Sequence, residues 1–290
     1  MASTLSRITS IGRPVEAKYP TNLAILIVMG LSLAAATVQA LVGGAGFTSA
    51  LYAGGHATLL VFMVWAYGRE CAPDDNPAAF VAVAAAIGAW AWGLRPDVLP
   101  LAALMGGSRI VNRTVGPTPK FSDLALVTVL AGWLTWRGNW PVGIAVGMAM
   151  LLDFRLKPRH LIAMPFAAVL AFVTVATWRT VPPVFGAPTT TLGWVAIGIA
   201  AAYAVVILTQ GPCASRTDIG EEPLSPARIQ GGMAVALLAG VTMAGRGHEH
   251  LVAAAGVFCV MAGTAIGRPR LWTSAGSSGA RSGTGTGTEK

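Results

Sequence analysis

The sequence predicts an all-α integral membrane protein, a bundle of about ten short transmembrane helices (range eight to ten) with both termini cytoplasmic. Three observations predict it. Apolar residues make up 54% and charged residues 11% of the 290, far below the roughly 25% charged residues of soluble domains. Apolar stretches recur from residue 22 to residue 267 with only short polar breaks, as in a polytopic domain. The Lys and Arg residues stand singly at the ends of those stretches, where they act as topology determinants.

The first stretch, 22 to 43, contains Leu23 to Val42, about the 20 residues that span a bilayer. Thr37-Val38-Gln39-Ala40 at its end has the small-residue character of a signal cleavage site. The polar leader of residues 1 to 20 is long for a signal peptide, so an uncleaved first helix is expected. Further stretches follow at 49–67, 78–93, 97–107, 121–136, 140–152, 161–178, 191–209, 229–245 and 249–266. Two are short: 97–107 and 140–152 cover only about 17 to 20 Å of a core about 30 Å thick. Each is expected to be re-entrant, tilted or extended through flanking residues, which sets the lower limit of eight crossings.

Ten crossings place 16 of the 20 basic residues inside and leave Arg95, Arg137, Arg179 and Arg246 in four short outer turns. Two re-entrant segments would give 14 against 6, so ten fits better. Seven tryptophans fall near outer helix ends, and Trp65 and Trp272 near inner ones, the headgroup levels where amphipathic rings settle. The chain thus divides into a cytoplasmic segment 1–21, a transmembrane domain 22–268 and a Gly/Ser/Thr-rich tail 269–290, expected to be disordered.

GRECAPDDNPAAF and GPCASRTDIGEEPLSPARI share Cys-Ala, acidic residues and a proline before the next helix. ALMGGSRIVNR and CVMAGTAIGRPR also end alike. These likenesses suggest a repeat relating the first four helices to the last four. Gly143-x-x-x-Gly147 and Gly263-x-x-x-Gly267 read as close helix packing. GGSRIVNRTVGPTPK lacks the ordered glycines and preceding strand of a nucleotide loop and reads as a turn. Cys71 and Cys213 fall in polar loops and Cys259 in an apolar stretch, so all three are expected as free thiols.

No Asp, Glu, Lys or Arg falls in the middle of any expected helix, which argues against a proton-coupled pump. The acidic residues gather on the inner side: Glu70, Asp74 and Asp75; Asp153; and Asp218, Glu221 and Glu222. Facing carboxylate clusters could hold magnesium and a lipid diphosphate, with Arg109, Arg113 and Lys120 as phosphate contacts. That placement resembles the intramembrane prenyltransferases of the UbiA family, which carry two Asp-rich motifs at cytosolic helix ends. The family pattern NxxxDxxxD is absent, the nearest stretch being Glu70-x-x-x-Asp74, so no residue role transfers. The ten-helix layout also resembles that of drug/metabolite transporters, a likeness of architecture alone. His56, His248 and His250 lie on the outer side as candidate metal ligands, though loop residues without a further donor set are the simpler reading. His160, beside Arg155, Lys157 and Arg159, reads as an inner-surface residue.

Three functions follow. One is a permease for a small neutral or weakly polar solute, lined by Gln39, Tyr203 and the two short segments. Another is a lipid or prenyl transferase that uses the inner carboxylates with magnesium, the one reading that needs a cofactor. The last is a non-catalytic structural protein. The expected partners are the bilayer of the plasma membrane and a small molecule. Nucleic acid is not expected, because the basic residues form no stripe.

Overall fold

A computed structural model describes residues 9–12, 15–180, 186, 190–219 and 222–268. The expectations for the tail 269–290, for residues 1 to 8 and for Glu221 lie outside the described residues. Among the described residues the chain forms α-helices and no strand, apart from one isolated bridge between Arg216 and Pro223. The helices are α1 (Pro20–Val42), α2 (Phe47–Cys71), α3 (Asn76–Ala91), α4 (Val98–Asn112), α5 (Phe121–Trp136), α6 (Trp140–Arg155), α7 (Ala163–Thr180), α8 (Thr191–Leu208), α9 (Pro226–Ala244), α10 (His248–Ala253) and α11 (Ala255–Ile266). Four of them, α1, α2, α8 and α9, are long and apolar enough to cross a membrane, and α3, α4, α5, α7 and α11 are shorter apolar helices.

These helices match the ten expected stretches because the last one is broken in two. The Ala253 carbonyl accepts the Asp97 N–H at 3.0 Å, and Val257 turns to Ala254 instead, so the ladder is interrupted between α10 and α11. The two short stretches are longer as helices than as apolar runs: 97–107 becomes Val98–Asn112 and 140–152 becomes Trp140–Arg155. The Asp97 carboxylate caps α4 through the Leu99 N–H at 3.1 Å, and Arg113, at φ 51°, closes it. Polar residues can extend both helices because Ser108, Asn112 and Asp153 find buried partners there.

Successive helices alternate in direction, and contacts at each end establish it. At one end, Asp74 meets residues 214 and 215, Asp153 meets Arg228, and Ser10 meets Asp123. At the other, Asp97 meets Ala253, Gly186 meets Gly245, and Arg246 reaches the Gly138 carbonyl. Both short helices therefore run from one end of the bundle to the other. Of the 15 described Lys and Arg residues, 11 lie at the first end, called the basic end, and Arg95, Arg137, Arg179 and Arg246 lie at the other.

Helices α2, α4, α6, α9 and α11 form an inner group around fully buried Tyr67, Leu104, Met150 and Met233. Close approach depends on missing side chains. A Cβ at Gly263 or Gly267 would run into Ala78 and Ala82 of α3, and one at Gly143 into Thr135 and Thr174, as the small-residue spacing anticipates. The outer surface is apolar: Leu31, Leu126, Phe172, Trp194 and Leu208 are all exposed, far more than a water-facing surface carries. The suggested repeat is not reproduced, since α1 packs along α2 while α7 packs on α5 and α6 and has no comparable interface with α8. Cys71 is the buried last residue of α2 rather than a loop residue, and all three cysteines are free thiols.

Candidate functional site

The basic end is where helix termini meet, and each terminus leaves backbone groups without intrahelical partners. Buried charged side chains engage several of them. Fully buried Asp153, in the last turn of α6, accepts from Arg113 Nε at 2.9 Å and Nη2 at 2.7 Å, from Arg228 Nη1 at 2.9 Å, and pairs with His160 Nδ1 at 2.8 Å. Arg228 also donates to the carbonyls of Val111 at 2.8 Å, Leu156 at 3.0 Å and Pro158 at 3.0 Å. It thus closes the C-terminal ends of α4 and α6, where a cation is favoured. Arg268 plays the same part for α2, donating to the Cys71 carbonyl at 2.5 Å and bonding the Gln210 side chain.

A second set surrounds Glu70 in the last turn of α2. Its carboxylate accepts from Arg109 Nε at 3.0 Å and Thr114 Oγ1 at 2.7 Å, and its carbonyl accepts from Asn112 Nδ2 at 2.9 Å. Asp123, in the first turn of α5, holds the N-terminal segment through the Ser10 N–H at 2.9 Å and the hydroxyls of Ser10 and Thr9. Arg109 Nη1 fastens the same segment through the Ile11 carbonyl at 3.1 Å.

Between that segment, α2, α4, the 113–120 loop and Ile219 lies a groove of about 720 Å³. Its wall is two-sided in chemistry. Phe62, Trp65, Ala66 and Met105 form an apolar part, and Arg69, Arg109, Lys120, Asn22 and Asn76 a polar one. Phe62 and Met105 lie nine and seven residues before the ends of their helices, so the apolar part reaches about 10 to 14 Å inward from the basic end. Arg69 lies over the Trp65 ring, 5.4 Å from its centroid.

The sequence candidates fall in different places. Glu70 and Arg109 pair beside the groove, and Arg113 belongs to the Asp153 set. Asp74 accepts the N–H groups of Ala214 and Ser215 at 2.8 and 2.7 Å, and Asp75 takes the N-cap position of α3. Asp218 is exposed, its N–H donating to the Thr114 carbonyl at 3.1 Å, and Glu222 is exposed, its N–H donating to the Thr217 hydroxyl at 3.1 Å. The carboxylates of Glu70 and Asp74 each serve protein donors, at separate positions. Among the described residues no three His, Cys, Asp or Glu side chains are grouped to hold a metal ion.

His56 stacks at 5.5 Å on Trp90, while His248 and His250 lie on α10. Gln39 is exposed near the far end of α1, and Tyr203 is fully buried on α8. Burial and the neighbouring Asp74 carboxylate push the Cys213 thiol above its ordinary pKa.

Sequence reasoning missed the joining of Asp153, Arg113, Arg228 and His160, and it placed His160 on the surface, whereas it is buried. A signal was present. Arg228 occupies the first turn of α9, where the helix dipole disfavours a cation, so a specific partner was required. The docking of Thr9 and Ser10 on Asp123 left no comparable trace.

No family model, no curated protein and no solved structure matches this chain. Neither the prenyltransferase nor the transporter resemblance gains a match, and the groove must be read from its own chemistry.

Proposed function

We propose that the chain is a ten-crossing protein of the cytoplasmic membrane, with its basic end and both termini in the cytoplasm, that takes an amphipathic molecule from the inner leaflet into the groove. The orientation rests on the 11 to 4 division of basic residues and the positive-inside rule. The observation that carries the functional reading is the groove's mixed wall. In that orientation the cationic and amide groups of the wall fall at headgroup level, and Phe62, Trp65 and Met105 at acyl-chain depth. Tyr19, 53% exposed at the rim, joins the apolar wall to the outer surface. A lipid-like molecule matches both halves at once; a small neutral solute leaves the cationic groups unused.

The permease reading keeps one supporting observation, the discontinuity between α10 and α11, since broken helices frame many transporter sites. Site-directed photo-crosslinking separates the two readings. A benzophenone amino acid at Phe62 or Met105 is expected to capture membrane lipid in whole cells, while one at Leu104, fully buried in the core, captures none. Equal lipid capture at Leu104 and Met105, or none at Phe62 and Met105, would overturn the groove reading.

A further inference from the structure

We infer that the groove selects a phosphate-bearing amphiphile, bound by direct cation contacts; this rests on the groove being the working site. Three cations reach it from three separate elements: Arg69 from α2, Arg109 from α4 and Lys120 from the loop before α5. Convergence from independent elements suits a compact multivalent anion better than a single carboxylate. The Arg109 guanidinium is held in plane by Glu70 on Nε and by the Ile11 carbonyl on Nη1. That pairing fixes the guanidinium at the groove wall while offsetting part of its charge.

Arg69 is steadied by its stacking on Trp65 and by Asn22 Oδ1 at 3.5 Å. Asn76, another lining residue, opens the 16-residue helix α3, so the positive end of that helix dipole borders the groove. The two acidic lining residues weaken this field little. Glu16 is paired with Lys18 at the exposed rim, and Asp218 is exposed to solvent, where water and salt screen them. A phosphate at this level would leave its acyl or isoprenoid chain against Phe62, Trp65 and Met105.

The test uses the full-length protein in a neutral maltoside detergent, with the melting temperature read at rising concentrations of three probes: dihexanoyl phosphatidic acid, dihexanoyl glycerol and inorganic phosphate. The phosphatidic acid alone is expected to raise the melting temperature in a saturable way. R69Q and K120Q are each expected to weaken that binding about tenfold, the usual loss for one charge-assisted contact, and R69K to retain most of it. Equal stabilisation by the glycerol would overturn phosphate selection and leave the amphiphile reading standing. Equal stabilisation by inorganic phosphate would keep the anion site and overturn the lipid source. No saturable effect of any probe would overturn both, as would unchanged affinity in the two glutamine variants.

Discussion

Replacing Asp153 by alanine tests the energetic core of this fold most directly. The carboxylate is fully buried and meets three hydrogen bonds from two guanidinium groups and one contact with His160. Removing it leaves Arg113 and Arg228, 8% and 4% exposed, without their only anionic partner among the described residues. Breaking a buried pair in this way costs about 3 to 5 kcal/mol, because the remaining charge stays desolvated. Arg228 retains its three short carbonyl bonds, which soften the loss on that side, so the expected value is about 3 to 4 kcal/mol. Asp153→Asn keeps one acceptor oxygen and is expected to lose less, about 2 kcal/mol. Reversible unfolding by SDS titration in mixed micelles reads these differences, with exposed Asp218→Asn as the reference, expected within about 0.5 kcal/mol of wild type. A loss below about 1 kcal/mol for Asp153→Ala would refute the reasoning: the guanidinium groups would then be reaching water, and the burial argument would fail.

Gly263→Leu is expected to cost at least about 1 to 3 kcal/mol in the same titration, because even a Cβ there meets Ala78 and Ala82. Gly30→Ala, which opens onto free space, is expected to be neutral. Among the native thiols, Cys71 and Cys259 are buried and Cys213 is half-buried, so a membrane-impermeant maleimide is expected to label Cys213 in inverted vesicles and not in intact cells; the reverse would invert the topology. The raised Cys213 pKa keeps the thiolate scarce at neutral pH, so that labelling is expected to rise about tenfold per pH unit from pH 7 to 9. Asp123→Asn removes the anionic acceptor of the Ser10 N–H. Hydrogen exchange at Ser10 is then expected to accelerate about ten- to a hundredfold, and an unchanged rate would mean the N-terminal segment is held by other contacts.

The helices were legible because their cause is local. An apolar run bounded by polar turns folds the same way wherever it lies, and all ten runs correspond to helices, the last of them in two pieces. The ends of α4 and α6 were not legible for the opposite reason. Ser108 to Asn112 and Asp153 to Arg155 look like loop residues by hydropathy and stay helical only because Tyr67, Glu70, Arg113 and Arg228 meet them. Those partners lie 40 to 75 residues away in sequence, and the Arg268 to Cys71 bond spans 197. The break at Ala254 escaped notice for the same reason, since it depends on one N–H from Asp97.

The charges at the basic end therefore divide into two kinds that composition cannot separate. Arg113, Arg228 and Arg268 are buried and close helix ends, so they hold the bundle together. Arg69 and Lys120 are only partly buried and line the groove. Arg109 stands between, with Nε committed to Glu70 and its flank open to the groove. A topology rule counts all six alike, because it responds to charge near the membrane and not to what each charge touches. On the proposed reading, ligand binding falls to the second kind and to Arg109. A substitution at Arg69 or Lys120 is expected to alter ligand binding more than stability, whereas one in the first kind, or at Arg109, whose loss strands the buried Glu70 carboxylate, is expected to lower stability as well.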